Sequence, residues 1–255
     1  MEEKIINENI KSKKRLVPVS NWKALTIFLF GVIGTTIVSL PIIFILEAIY
    51  GTDADGVFNE LAKATGILNF FTYLISLTAL LVFIGLPALK QIFSKIKEWA
   101  LYEKGIIYGI VCIALQTALS ILLTLLFGTF EDNANQSTLI EVTKELPILA
   151  FCFTVVFGPI FEELVYRYAL FGACYKKNRI FAYVIVGLVF AFIHFDFYAF
   201  INTEHLIKEF VNIPPYIAGG LLLCYAYEKE ESLLPPIIAH MINNFVGFAQ
   251  ILMLQ

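Results

Sequence analysis

The chain is predicted to be all-α, a polytopic membrane helix bundle of about seven to eight transmembrane helices around a polar cavity. Three observations predict it. Of 255 residues, 59% are hydrophobic and 15% charged, against about 45–50% and about 25% in ordinary soluble domains. Mean hydropathy is +0.79, and a soluble core of this length has too little interior to hide so much apolar surface. Apolar stretches recur near the roughly 20 residues that cross a bilayer, and the segments between them alternate in charge. The net charge of −3 selects no partner class, and nothing in it favours nucleic acid.

Residues 1–23 are polar and mostly basic, and are expected to form a cytoplasmic N-terminal tail. That stretch is too long and too charged for an ordinary signal peptide, and a span-length apolar segment follows it. Candidate spans are 24–50, 65–89, 105–127, 146–173, 180–200, 210–227 and 233–254, which makes 24–255 a single transmembrane domain. Pro41, Pro159, Pro214-Pro215 and Pro235-Pro236 mark expected breaks or helix starts. Lys90, Lys95, Lys97 and Lys104, and later Lys176, Lys177 and Arg179, make two loops basic. The loops holding Asp53, Asp55 and Glu60, and Glu131, Asp132 and Glu141, are acidic. The positive-inside rule therefore puts the N-terminus in the cytoplasm of a multi-pass cell-membrane protein. The acidic run Glu228-Lys229-Glu230-Glu231 breaks the alternation. Cys112, Cys152, Cys174 and Cys224 lie in or at the ends of apolar segments, without metal or redox spacing, and read as packing residues.

Three polar motifs interrupt the apolar segments. An ionisable side chain inside a span is costly and usually lines a functional cavity. In Glu162-Glu163-Leu-Val-Tyr-Arg167, Glu163 and Arg167 are four apart and share a helix face, so they can pair. Glu162 points about 100° away and stays free to act as a base. Phe190 and His194 are also four apart, so the ring can dry the imidazole. Asn243 and Asn244 follow His240 on its own side of a helix. An imidazole and a carboxamide there can aim two donors at one point, as an oxyanion requires. Taken singly, each motif also reads as structure: an ion pair, a packed histidine, a polar seam between helices. His205, in a predicted outer loop, receives no role, and Glu47, Asn69 and Gln116 have no evident partner.

The order EExxxR, FxxxH, HxxxN resembles the CAAX protease and bacteriocin-processing family, the type II CAAX prenyl endopeptidases also called Abi. Every signature position is filled: Glu162, Glu163, Arg167, Phe190, His194, His240 and Asn244. The resemblance covers about 146–255, which it marks as the catalytic part. It implies a bundle of about eight helices around a conical cavity open to the cytoplasm. It also implies an intramembrane endopeptidase acting on a peptide or protein substrate. In that scheme Glu162 and His194 activate water, and His240 with Asn244 holds the oxyanion. Glu163, Arg167 and Phe190 give support.

A metal is the open question. Glu162, His194 and His240 can be arranged as three ligands to zinc or another divalent metal, with a fourth position open. Glu162 would then be a ligand, and Glu163, paired to Arg167, would be left as a weak base. That favours a metal-free reaction. No HExxH is present. Two non-proteolytic alternatives stand beside proteolysis: a membrane immunity protein that sequesters a bacteriocin or its receptor without needing Glu162, and a small transporter that uses Glu162 and the histidines as a proton relay. No internal repeat supports the transporter.

Overall fold

Lipid offers backbone groups no hydrogen bonds, so a membrane chain must satisfy them internally, and a helix does so within one segment. The computed structural model describes residues 16–128, 134–197, 200 and 203–253. In chain order its helices are α1 (Asn21–Tyr50), α2 (Leu61–Ile84), α3 (Leu86–Ile92), α4 (Trp99–Phe127), α5 (Ala134–Glu145), α6 (Pro147–Tyr175), α7 (Arg179–Phe192), α8 (Thr203–Glu230) and α9 (Leu234–Met253). Six of these are long and apolar enough to span a membrane: α1, α2, α4, α6, α8 and α9. The chain is an all-α, multi-pass membrane protein, as its composition predicts. Most of the predicted N-terminal tail, residues 1–15, lies outside the described residues.

Two expectations are corrected. The segment 180–200 gives α7, a helix of 14 residues, which rises about 21 Å against a hydrocarbon core of about 30 Å. It stops short because His194, in the turn beyond it, bonds its imidazole Nδ1 to the Phe190 carbonyl at 2.8 Å. His194 is therefore not inside a helical span. The prolines are the second correction. Pro41 and Pro214-Pro215 lie inside helices and break neither. Pro159 interrupts α6 without ending it, where π-helical backbone gives way to α-helical, and Pro235-Pro236 marks a start, at the head of α9. Position 205 likewise falls in the first turns of α8, not in a loop.

One end of the bundle is stitched shut. Lys23 Nζ donates to the Ile84 carbonyl at 2.7 Å, and Lys176 Nζ donates to the Val19 carbonyl. Leu16, Val19, Ile84, Ile92, Tyr175 and Leu233 are buried together there. Gly85, at φ +82°, ends α2 in a conformation that side chains rarely adopt, and so lets α3 fold back at once. The acidic run that broke the charge alternation is also at this end. Glu228 accepts from Arg179 Nε at 2.6 Å and from Tyr175 at 2.7 Å, and Glu230 accepts from Tyr108 at 2.7 Å. At the other end α5 packs on the start of α2: a Cβ on Gly66 would meet Val142 at 2.8 Å.

The packing of α4 on α9 sets the depth of the site. Gly105 and Gly109 make a notch in α4, a small-xxx-small pattern that lets backbones approach. A Cβ on Gly105 would lie 2.6 Å from Ile238 Cβ, and one on Gly109 would lie 3.0 Å from Ile242 Cβ. His240 lies between those isoleucines. Gly105→Val is expected to cost about 1–3 kcal/mol through overpacking, read as a lower melting temperature in detergent. Unchanged melting would refute the close fit.

Candidate active site

The site begins with a defect in α6. Gly158 N–H bonds to the Phe153 carbonyl, five residues back, within a π-helical turn over Cys152–Phe157. Pro159 has no N–H to offer the next carbonyl in that register, which belongs to Thr154. Asn244 Nδ2 on α9 donates to that carbonyl at 2.9 Å. A second π-helical stretch, Glu163–Phe171, follows after the α-helical turn Gly158–Glu162. Such turns recur at functional sites, and here Glu162 lies between the two and Glu163 opens the second.

Glu163 and Arg167 are fully buried. Arg167 Nη1 donates to Glu163 Oε1 at 2.8 Å, and Nη2 donates to the Gly220 carbonyl at 3.2 Å. The same Glu163 oxygen lies 2.9 Å from His240 Nδ1. The pair predicted from spacing therefore has a third member, and Glu163 fixes the ring of His240. Phe190 is the common wall: the Arg167 guanidinium lies 4.4 Å from its ring centre, and the rings of His194 and His240 lie at 5.0 and 5.8 Å. A Cβ on Gly220 would come within 3.1 Å of Phe190, so glycine there lets the ring and the Arg167 bond coexist.

Glu162 faces the other way, as its 100° offset predicts. Its Oε2 is 3.8 Å from His240 Nε2 and has no hydrogen-bond partner among the described residues. His194, with Nδ1 on the Phe190 carbonyl, presents Nε2 as the free ring nitrogen, a tautomer assigned from that bond. Tyr216 stacks on His194 at 4.6 Å with planes 17° apart. Glu162, His194, His240, Asn243 and Asn244 all line one cavity of about 410 Å³. The structure thus gathers all four predicted catalytic residues at one cavity, with Phe190 in its wall and Glu163 and Arg167 packed behind.

Sequence reasoning missed Tyr216 and Thr154. Neither lies in one of the three polar motifs, and each matters through a contact from a distant helix. Gln116 does find a partner: its Nε2 donates to the Pro215 carbonyl at 3.3 Å, in the space left by Gly219. The four cysteines are free, with Cys112 and Cys224 buried, which fits packing. His205 has no described side chain.

The three candidate metal ligands are not drawn together as a ligand set. Zinc needs its donors about 2.0–2.2 Å from one point. Among the described residues, no three His, Cys, Asp or Glu side chains form a group that could hold a metal ion.

The chain is similar in sequence to known proteins. Residues 144–246 match the family described as Type II CAAX prenyl endopeptidase Rce1-like, and they contain every residue of the three motifs. The chain is 31% identical over 209 residues to the membrane-embedded CAAX protease MroQ of Staphylococcus aureus (strain USA300), covering 76% of this chain and 77% of that protein. It is 31% identical over 127 residues to the putative membrane peptidase YdiL of Bacillus subtilis (strain 168), covering 49% and 46%. It is 25% identical over 184 residues to the UPF0177 protein YxdF of Lactococcus lactis subsp. lactis (strain IL1403), covering 71% and 95%. No solved structure matches. With its three motifs inside the matched segment and meeting at one cavity between membrane helices, the chain belongs to the Type II CAAX prenyl endopeptidase Rce1-like family of membrane peptidases.

Proposed function

We propose that the protein is an intramembrane endopeptidase of the glutamate type. The observation that carries this is the convergence of Glu162, His194, His240 and Asn244 on one cavity of about 410 Å³. That volume falls within the range of binding pockets, about 300–1,000 Å³, and admits a short stretch of extended peptide.

Water sits between the Glu162 carboxylate and His194 Nε2. Glu162 takes one proton as the water oxygen attacks the peptide carbonyl carbon. Charge then builds on the carbonyl oxygen. Glu163 accepts from His240 Nδ1–H and so stabilises the doubly protonated ring, whose Nε2–H points into the cavity and donates to that oxygen, with the Asn243 and Asn244 amides beside it. Glu162 returns its proton to the leaving nitrogen, the C–N bond breaks, and an acid and an amine result. No step requires a metal. Accordingly, a chelator such as EDTA is expected to leave cleavage within about twofold of its starting rate. Loss of activity that added zinc restores would overturn the metal-free scheme.

The proposal places the protein in the cell membrane with the N-terminus in the cytoplasm. The basic loops support this, and so does Arg179 on Glu228, which offsets the acidic run at that end. The test compares peptide termini in membranes of cells carrying wild type or Glu162→Gln at matched protein levels. New termini with wild type alone are expected. Identical termini in a strain where the wild type has a clear phenotype would overturn proteolysis in favour of a binding role, such as bacteriocin immunity.

A further inference from the structure

We infer that the catalytic cavity opens on the non-cytoplasmic face, so that its substrates are peptide segments presented from outside the membrane. This deepens the proteolytic proposal and rests on it for the word substrate alone. The placement of the mouth stands on other observations, and it reverses the cytoplasmic opening that the family resemblance implies.

The cavity has a direction. From Glu162 and His240 its wall follows α4 through Gln116 and Ser120 to Thr124, near the helix end at Phe127. From Cys112 to Thr124 that wall rises about 18 Å. The wall also takes in Leu139 on α5, Asn212 on α8 and Gly247 on α9. All of these lie toward the end where α4 and α9 finish and α8 begins. No lining residue comes from the opposite end, where the buried cluster of Leu16, Val19, Ile84, Ile92, Tyr175 and Leu233 plugs the bundle.

The two ends differ sharply in charge. The plugged end carries Lys90, Lys95, Lys97, Lys176, Lys177 and Arg179. The open end carries Asp53, Asp55, Glu60, Glu141 and Glu145 against three lysines, Lys63, Lys144 and Lys208, of which Lys63 and Lys144 are each paired to a neighbouring glutamate. Basic residues near span ends mark the cytoplasmic side. The plug is therefore cytoplasmic and the mouth is not. The short α7 fits this arrangement. It ends below the mouth, and the segment after it sets Phe195, Phe197 and Phe200 in one aromatic cluster with Phe210. Phe197 and Phe200 are exposed, an apolar surface set in the outer leaflet beside the mouth.

The test uses full-length protein with the four native cysteines replaced, in intact cells and in inside-out vesicles, probed with a membrane-impermeant maleimide. Single cysteines are introduced as Ser120→Cys and Thr124→Cys in the cavity, Asp55→Cys as a marker of the open end, and Lys97→Cys as a marker of the plugged end. Each variant must first run as a single species in detergent. Expected are labelling of positions 120, 124 and 55 in intact cells, and of 97 in inside-out vesicles alone. The reverse pattern would overturn the orientation. Labelling of 55 from outside but of 120 and 124 from inside alone would overturn the position of the mouth. Labelling does not depend on turnover, so the pattern is expected unchanged in Glu162→Gln. An inactive wild type with the expected pattern would count against proteolysis and leave the mouth where it is inferred.

Discussion

Glu162→Gln is expected to lower cleavage by about 10²–10⁴-fold, the range a positioned general base supplies, with little change in folding. The geometry separates those two effects. Glu162 Oε2 has no hydrogen-bond partner among the described residues, and its contact with His240 Nε2 spans 3.8 Å, beyond hydrogen-bond length. Neutralising it therefore strands no buried cation. Glutamine keeps the shape and removes the basic oxygen. The check is paired: new peptide termini counted by mass spectrometry, and melting temperature in detergent. Loss of both together would mean that Glu162 holds the fold. Loss of neither would remove it from the reaction. Glu162→Asp adds a second readout, because it keeps the charge but withdraws it by one methylene. A base that must reach water beside His194 should suffer from that shift; a diffuse charge effect should not.

The reach of sequence reasoning follows from what holds each feature in place. The spans were legible because hydropathy is a local property, and the six long helices fall where the apolar segments are. The pairing of Glu163 with Arg167 was legible because a four-residue spacing is also local. The length of α7 was not, because a histidine and a carbonyl four residues back decide it, and that bond forms only once His194 leaves the helix. Pro159 looked like a break. It interrupts α6 without ending it and leaves a carbonyl without a donor, and the repair comes from Asn244, distant in sequence and adjacent in space. The same bond shows why Asn244 reads differently in the two views. Spacing assigns its amide to an oxyanion, whereas in the folded chain Nδ2 also ties α9 to α6. Tyr216 was invisible because stacking on His194 depends on where α8 crosses α7.

Removing Arg167 is expected to be the most destabilising single change, and restoring stability is not expected to restore activity. Arg167→Met leaves the Glu163 carboxylate without its cation in a site with no solvent access. Breaking one partner of a buried pair costs about 3–5 kcal/mol, whereas replacing both by apolar residues of similar volume is often neutral or stabilising. Here the pair is incompletely satisfied: among the described residues, Glu163 Oε2 and Arg167 Nε lack hydrogen-bond partners. The double variant Glu163→Leu, Arg167→Met is therefore expected to recover most of the stability that Arg167→Met loses, seen as a melting temperature near wild type. Its activity is expected to stay low. His240 Nδ1 meets Glu163 at 2.9 Å, and without that carboxylate the ring can turn and Nε2 no longer faces the cavity. A purely structural pair predicts that stability and cleavage return together. A pair that also orients His240 predicts that they part. The intermediate variant Glu163→Gln sharpens the distinction, since its amide oxygen can still accept from Nδ1. Its cleavage should exceed that of the double variant even though it melts lower, and the opposite order would mean that the pair contributes only packing.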